Sequence, residues 1–172
     1  KGAYTGFTFD ITDYIKADGS DNVIAVRVDS TKQKEVPPEI GNVDYCLYGG
    51  IVRNVNMIVT EKIYVDDITI TTPCIDTGDS AVHIKTIVKN DTNEAEDIEV
   101  EAIIKDASGN AVTTGLKKMS LKNNGKSECE FDTGEVKDVK LWCVDEPNLY
   151  TAEIRIRNGN RYTDVTSERF GF

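Results

Sequence analysis

Polar and apolar residues alternate along most of the chain with a period of two, and the three-to-four-residue recurrence of an amphipathic helix is almost absent. In "FTFDI", Phe7, Phe9 and Ile11 fall on one face and Thr8 and Asp10 on the other. "NVIAVRVD" sets Ile24, Val26 and Val28 against Ala25 and Arg27. The segment between them carries turn chemistry at Asp18-Gly19 and Ser20-Asp21, so the pattern predicts a strand, a turn and a strand. "STKQKEVPPEIGN" predicts a loop, because Pro37 and Pro38 have no N–H to give to a ladder. After Gly49-Gly50, "IVRNVNMIV" predicts another strand.

From Ile63 onward the alternation becomes regular. Seven strands are predicted: "IYVDDITITTP", "SAVHIKTIVKN", "EDIEVEAIIKD", "NAVTTGLKKMSL", "GKSECEFDT", "LYTAEIRIRN" and "RYTDVTSERFGF". The breaks at Thr77-Gly78-Asp79, Asn90 to Asn93, Ser108-Gly109-Asn110, Asn123-Asn124-Gly125 and Asn158-Gly159-Asn160 hold residues that tolerate positive φ. Seven short strands in the final 110 of 172 residues is the count of an immunoglobulin-like sandwich. The chain is therefore read as all-β with two domains, residues 1–62 and 63–172, abutting through Val59 to Ile63 with no flexible linker.

Composition narrows the function classes. Hydrophobic residues at 39% and charged residues at 29% are enough for a packed core. Thirty acids against twenty bases, a net charge of -10, would repel a phosphate backbone, so no nucleic-acid partner is expected. No apolar run approaches the roughly 18 residues of a membrane-spanning helix, and no membrane partner is expected. "KGAYTGFTFDITDYI" lacks the regions of a signal peptide, but it starts in strand pattern, so the natural N-terminus is expected elsewhere. Localisation stays open between the cytoplasm and the periplasm or exterior.

Four scattered cysteines, Cys46, Cys74, Cys129 and Cys143, and a single histidine do not make a zinc site. The expectation is no metal, no cofactor and buried free thiols, with a Cys129–Cys143 disulfide as the alternative. His83 shares a strand face with Lys85 and Lys89, opposite Val82, Ile84 and Val88, and reads as a surface residue without a triad. Trp142 in "LWCVDEPNLY" reads as an anchor in the core or at a domain junction in preference to a sugar-stacking platform. Asp44 and Arg53 flank a Gly-Gly turn in "DYCLYGGIVR". Glycines for tight geometry, tyrosines with flat amphipathic faces and a carboxylate that accepts two hydroxyl hydrogen bonds suit a sugar. Equally, Asp44 can cap a turn while Arg53 pairs with a nearby acid.

Three stretches together resemble glycoside hydrolase family 2, the β-galactosidase, β-glucuronidase and β-mannosidase group. "GAYTGFTFDITDYIKADGSDNVIAVRVDS" is similar to the second half of that family's jelly-roll, sugar-binding-type domain, and "VDYCLYGGIVRNVNMIV" to its closing loop and strand. "LWCVDEPNLYTAEIRI" and "SERFGF" are similar to the end of its immunoglobulin-like domain.

The resemblance implies a retaining exo-glycosidase, a β-galactosidase among the family's activities, with both catalytic glutamates in a (β/α)₈ barrel outside these residues. It implies no catalytic residue here and one substrate-binding residue, Asp44, that reaches a β-linked oligosaccharide or glycoside held by the barrel. Arg53 falls to a structural role in the loop. Asn54 departs from the family's usual Asp, and Cys46-Leu47 from its aromatic or polar residues. The alternatives are an adhesin or surface module of tandem sandwiches, and a freestanding carbohydrate-binding module.

Because the resemblance starts partway through the jelly roll, the apolar face of Phe7, Phe9 and Ile11 should lack a cover. Light scattering of the isolated chain should therefore show association, including homo-oligomers, or an expanded first segment; a compact, stable monomer would contradict this.

Overall fold

Regular structure among the described residues consists of seven β-strands and one turn of 3-10 helix, Thr12–Tyr14. The strands are β1 (Ile63–Thr71), β2 (His83–Asn90), β3 (Glu96–Lys105), β4 (Ala111–Leu121), β5 (Gly125–Asp132), β6 (Tyr150–Asn158) and β7 (Arg161–Phe170). They lie where the alternation placed them. The structure is a computed structural model that describes residues 5–29, 31, 49–73, 75 and 80–172. Its chain divides into two units, Lys1–Met57 and Ile58–Phe172.

In the second unit the strands form two antiparallel sheets, ordered β1-β2-β5 and β4-β3-β6-β7. The chain crosses between sheets after β2, β4 and β5. The central strands alternate most strictly, since both their neighbours are strands and one face must meet the other sheet. Ile84 and Val88 of β2, Ile98, Val100, Ala102 and Ile104 of β3, and Ala152, Ile154 and Ile156 of β6 are all buried.

Among the described residues four polar side chains are buried, Ser80, Thr86, Asn90 and Thr133, and each is hydrogen-bonded. Thr86 Oγ1 donates to the Asp67 carbonyl at 2.8 Å, beside the bulge where Asp66 interrupts the β1–β2 register. Asn90, 0% exposed, donates through Nδ2 to the carbonyls of Glu94 (3.0 Å) and Lys122 (3.2 Å). Its Oδ1 accepts from Thr92 N and Oγ1 at 2.9 and 2.7 Å. Asn90 thus ties the β2–β3 turn to the β4–β5 turn, across the sheets.

The sides of the sandwich are closed by different means. At one, Asp164 of β7 accepts a hydrogen bond from Val65 N of β1 at 2.8 Å, joining the edge strands of the two sheets. At the other, Gly134 N donates to Thr114 O at 3.0 Å. A Cβ on Gly115 would lie 3.0 Å from the Phe131 ring, and one on Gly134 2.8 Å from Thr113 Oγ1. Only side-chain-free positions admit that approach.

The first unit departs from expectation. Its turn forms: Asn22 Oδ1 accepts from Lys16 N and Nδ2 donates to Lys16 O, both at 2.9 Å, with Gly19 at φ +85°. The strands expected at "FTFDI", "NVIAVRVD" and "IVRNVNMIV" do not form, and these segments carry no strand among the described residues. Alternation prepares a segment for a sheet, but a strand exists only when a neighbour takes its N–H and C=O groups. Phe7 and Phe9 remain 62% and 65% exposed, as the uncovered apolar face predicts.

Asn90→Asp keeps the shape, removes both donors and introduces a buried charge. It should lower stability by about 2–4 kcal/mol, read as a reduced urea midpoint; an unchanged midpoint would show that the link between the turns carries no stability.

Candidate functional site

Asp44, the one residue expected to meet substrate, lies outside the described residues, with Tyr45, Cys46, Leu47 and Tyr48 beside it. The described part of that loop begins at Gly49 and Gly50, both exposed. Gly50 sits at φ +108°, a conformation that disfavours any side chain. Arg53 is also exposed.

His83 points outward from β2, and its Nδ1 lies 2.8 Å from Asp132 Oδ1 on the adjacent β5. An oriented imidazole of this kind is half of a nucleophilic device, but the neighbouring outward residues of β5 are Glu130 and Glu128, both held by Lys85 Nζ at 3.1 and 2.6 Å. Cys129, between those two acids, points into the core, where burial pushes its thiol pKa up. The histidine therefore has no nucleophile on its face of β5, in keeping with the surface role expected of it.

Glycoside hydrolysis with retention needs two carboxyl groups about 5–5.5 Å apart, one of them kept protonated near neutrality. Four described acids, Glu99, Glu153, Asp106 and Asp18, are shifted the opposite way. Glu99 is held below its ordinary range by hydrogen bonds from Lys118, at 2.9 Å, and from Arg157. Glu153 is lowered by Lys105 at 2.6 Å and then by Arg155 at 2.5 Å. Asp106 is lowered by backbone N–H groups of its own turn, Asn110 foremost, and Asp18 by Ser20. Each is favoured as a carboxylate, Glu99 and Glu153 by ion pairs and Asp18 and Asp106 by hydrogen bonds within their own turns, which is not the environment of a general acid. Among the described residues no group of three His, Cys, Asp or Glu side chains gathers to hold a metal.

The most distinctive surface feature lies around Trp142. Its backbone N–H donates to the Phe172 carbonyl at 2.7 Å, and it forms an isolated bridge with Pro147. Asn148 Nδ2 reaches back to Leu141 O at 3.0 Å, closing the loop. Gly171 packs against the indole so tightly that a Cβ there would fall 2.7 Å from Trp142 Cβ. Below lies an aromatic cluster in which Phe172 meets Tyr150 edge-on at 4.9 Å and Phe170 at 5.3 Å, while the Tyr150 hydroxyl accepts from Lys140 N at 3.0 Å. The anchoring role expected of Trp142 is visible in these contacts, yet its side of the loop stays open. A cleft of about 420 Å³ is lined by Trp142, Leu149, Arg169, Phe170, Gly171 and Phe172. "RFGF" was legible as a motif, but nothing in sequence spacing shows that its glycine receives the indole.

Cys129 and Cys143 are both free, so the alternative of a disulfide between them is not realised. Cys129 is the buried thiol expected, but Cys143 corrects the expectation: it is exposed, because its loop turns on itself with Glu146 N donating to Sγ at 3.3 Å. Cys46 and Cys74 lie outside the described residues.

The sequence profile of the family described as Glycosyl hydrolases family 2 matches residues 63–172. A β-galactosidase from Thermoanaerobacterium thermosulfurigenes is 29% identical, over 100% of this chain and 24% of its own length. A putative β-glucuronidase from Formosa agariphila is 32% identical, over 99% and 20%. This chain thus spans a quarter or less of these relatives. Among solved structures, a β-glucuronidase of Bacteroides uniformis superposes with a TM-score of 0.74 at 25% identity, over 84% of this chain and 18% of that one. The all-β, two-sheet architecture is that of the corresponding sandwich domains.

The lowered carboxyl groups give a signed pH dependence. The stability supplied by Glu99 and Glu153 is fully present above their ordinary pKa of 4.5 and is lost as pH falls through their lower native values. A Glu99→Gln/Glu153→Gln variant should therefore lose less of its urea midpoint than the parent chain between about pH 4.5 and about pH 2.5; parallel curves would remove these two acids from the acid sensitivity.

Proposed function

Since the chain belongs to glycosyl hydrolases family 2, we propose that it is a non-catalytic part of a retaining exo-β-glycosidase whose acid/base and nucleophile lie in a barrel domain outside these residues. Residues 1–62 are part of a jelly-roll domain, and residues 63–172 are an immunoglobulin-like sandwich that supports the barrel. Asp44 contributes to the pocket for the terminal sugar, its two carboxylate oxygens accepting hydrogen bonds from neighbouring hydroxyls of the non-reducing residue. Bonds of that kind hold the glycosidic linkage in line for attack, which lowers the entropic part of the barrier.

The observation that carries this reading is the family match over residues 63–172 in a chain that covers only 24% and 20% of two relatives with glycosidase names. The chemistry of the described acids supports it, since those with shifted pKa values are all held as carboxylates. A tandem-sandwich surface module does not account for the family match. Relatives named both β-galactosidase and β-glucuronidase occur, and a terminal β-galactoside is the finer reading.

In the longer protein, Asp44→Ala should lower kcat/KM for the preferred aryl β-glycoside by about 10²–10³-fold. The panel would hold β-galactoside, β-glucuronide and β-mannoside, and the fastest of the three identifies the sugar. An unchanged kcat/KM would remove Asp44 from the pocket. The 172-residue chain alone should hydrolyse none of them and show no sugar binding by calorimetry, because one carboxylate without an opposing wall holds a sugar weakly.

A further inference from the structure

The loop at residues 141–149 presents an apolar surface that the sandwich does not use. Leu141 is 54% exposed, Trp142 49% and Val144 84%. All belong to one short loop whose backbone is fixed by the Trp142–Phe172, Cys143–Glu146 and Asn148–Glu146 hydrogen bonds. Asp145, Glu146 and Arg169 are exposed around it. A rigid apolar centre with Trp, a charged rim and an adjoining Arg is the composition of a protein-protein contact.

The cleft chemistry distinguishes a polypeptide from a sugar as occupant. A sugar platform needs several polar groups converging on hydroxyls. Here Arg169 is the one charged side chain in the lining and the indole N–H of Trp142 the one other side-chain donor; the Trp142 ring, Leu149, Phe170 and Phe172 supply the apolar wall, with Gly171 between them. Phe172 is buried in that wall, with its carbonyl held by Trp142 N, so polypeptide continuing past it would leave from the cleft itself. Relatives exceed this chain about fourfold to fivefold in length.

We propose that the Leu141–Trp142–Val144 ledge is the docking face for the domain that follows Phe172 in the longer protein. The inference rests on the reading of the chain as part of a family 2 glycosidase. Trp142 seals the contact, Gly171 leaves room for its ring, and Arg169 pairs with polar groups at the rim. The ledge sets the direction in which the next domain leaves the sandwich, and so makes the linker at residue 172 stiff.

The test compares the 172-residue chain with the longer protein by oxidative footprinting of Trp142 and by thermal unfolding of Val144→Arg. Trp142 should be oxidised readily in the short chain and several-fold more slowly in the longer protein. Val144→Arg should leave the short chain's midpoint in place, since that side chain is 84% exposed, and lower the longer protein's. Equal oxidation of Trp142 in the two proteins would overturn the docking face, even if the longer protein cleaves aryl glycosides. Protection that appears in the short chain with rising concentration would assign the ledge to a second copy and also overturn it. Protection of Trp142 in a longer protein without glycosidase activity would sink the enzymatic reading and leave the docking face standing.

Discussion

The molecule depends on one constraint: two sheets, each apolar on one face, must bury those faces against each other. β2 supplies the centre of one layer, and β3 and β6 the centre of the other, with every second residue from Ile98 to Ile104 and from Ala152 to Ile156 buried. Everything else accommodates this contact. The bulge at Asp66 sits beside the Asp67 carbonyl that receives the buried hydroxyl of Thr86. The glycines at 115 and 134 let the far edges touch, and Asn90 fastens the turns that would otherwise splay. Buried polar groups that are partnered, as Asn90 and Thr86 are, specify one arrangement of layers, where a purely apolar interface would tolerate sliding.

The outer faces follow a different logic. Their acids and bases are interleaved, as in Lys105–Glu153–Arg155 and Lys118–Glu99–Arg157, so a chain with net charge -10 still has locally balanced sheets. Exposed pairs contribute little individually, but they settle what the sandwich can do. An acid already committed to two cations has no proton to lend at neutral pH. Glu99 and Glu153 are thus committed to the lattice of ion pairs on the sheet that carries them.

The sandwich was legible because alternation is a local signal: the phase of Val82, Ile84 and Val88 against His83, Lys85 and Lys89 is set by strand geometry alone. The extra residues at Asp66 and Thr163, the Asp164–Val65 bond between sheets and the seat of the indole on Gly171 depend on residues from distant parts of the chain, and no window of sequence contains them. "FTFDI" and "NVIAVRVD" show the reverse case, where the pattern is clear and the strand is not formed for want of neighbours. Asp44 differs again. Its chemistry alone fitted a turn cap as well as a sugar ligand, and only the resemblance of the surrounding motif favoured the second.

The irregularities on the rim have a consequence for association. β1, β4, β5 and β7 are the four sheet edges, and an open edge is a template for a foreign strand. β1 is broken by the Asp66 bulge and β7 by an extra residue at Thr163. β4 carries Lys117 and Lys118, and β5 carries Lys126, Glu128 and Glu130, all exposed. A passing strand would meet a kink on two edges and a row of charge on the others. The sandwich is thus insulated against edge-to-edge polymerisation, even in a chain whose first unit leaves phenylalanines in water.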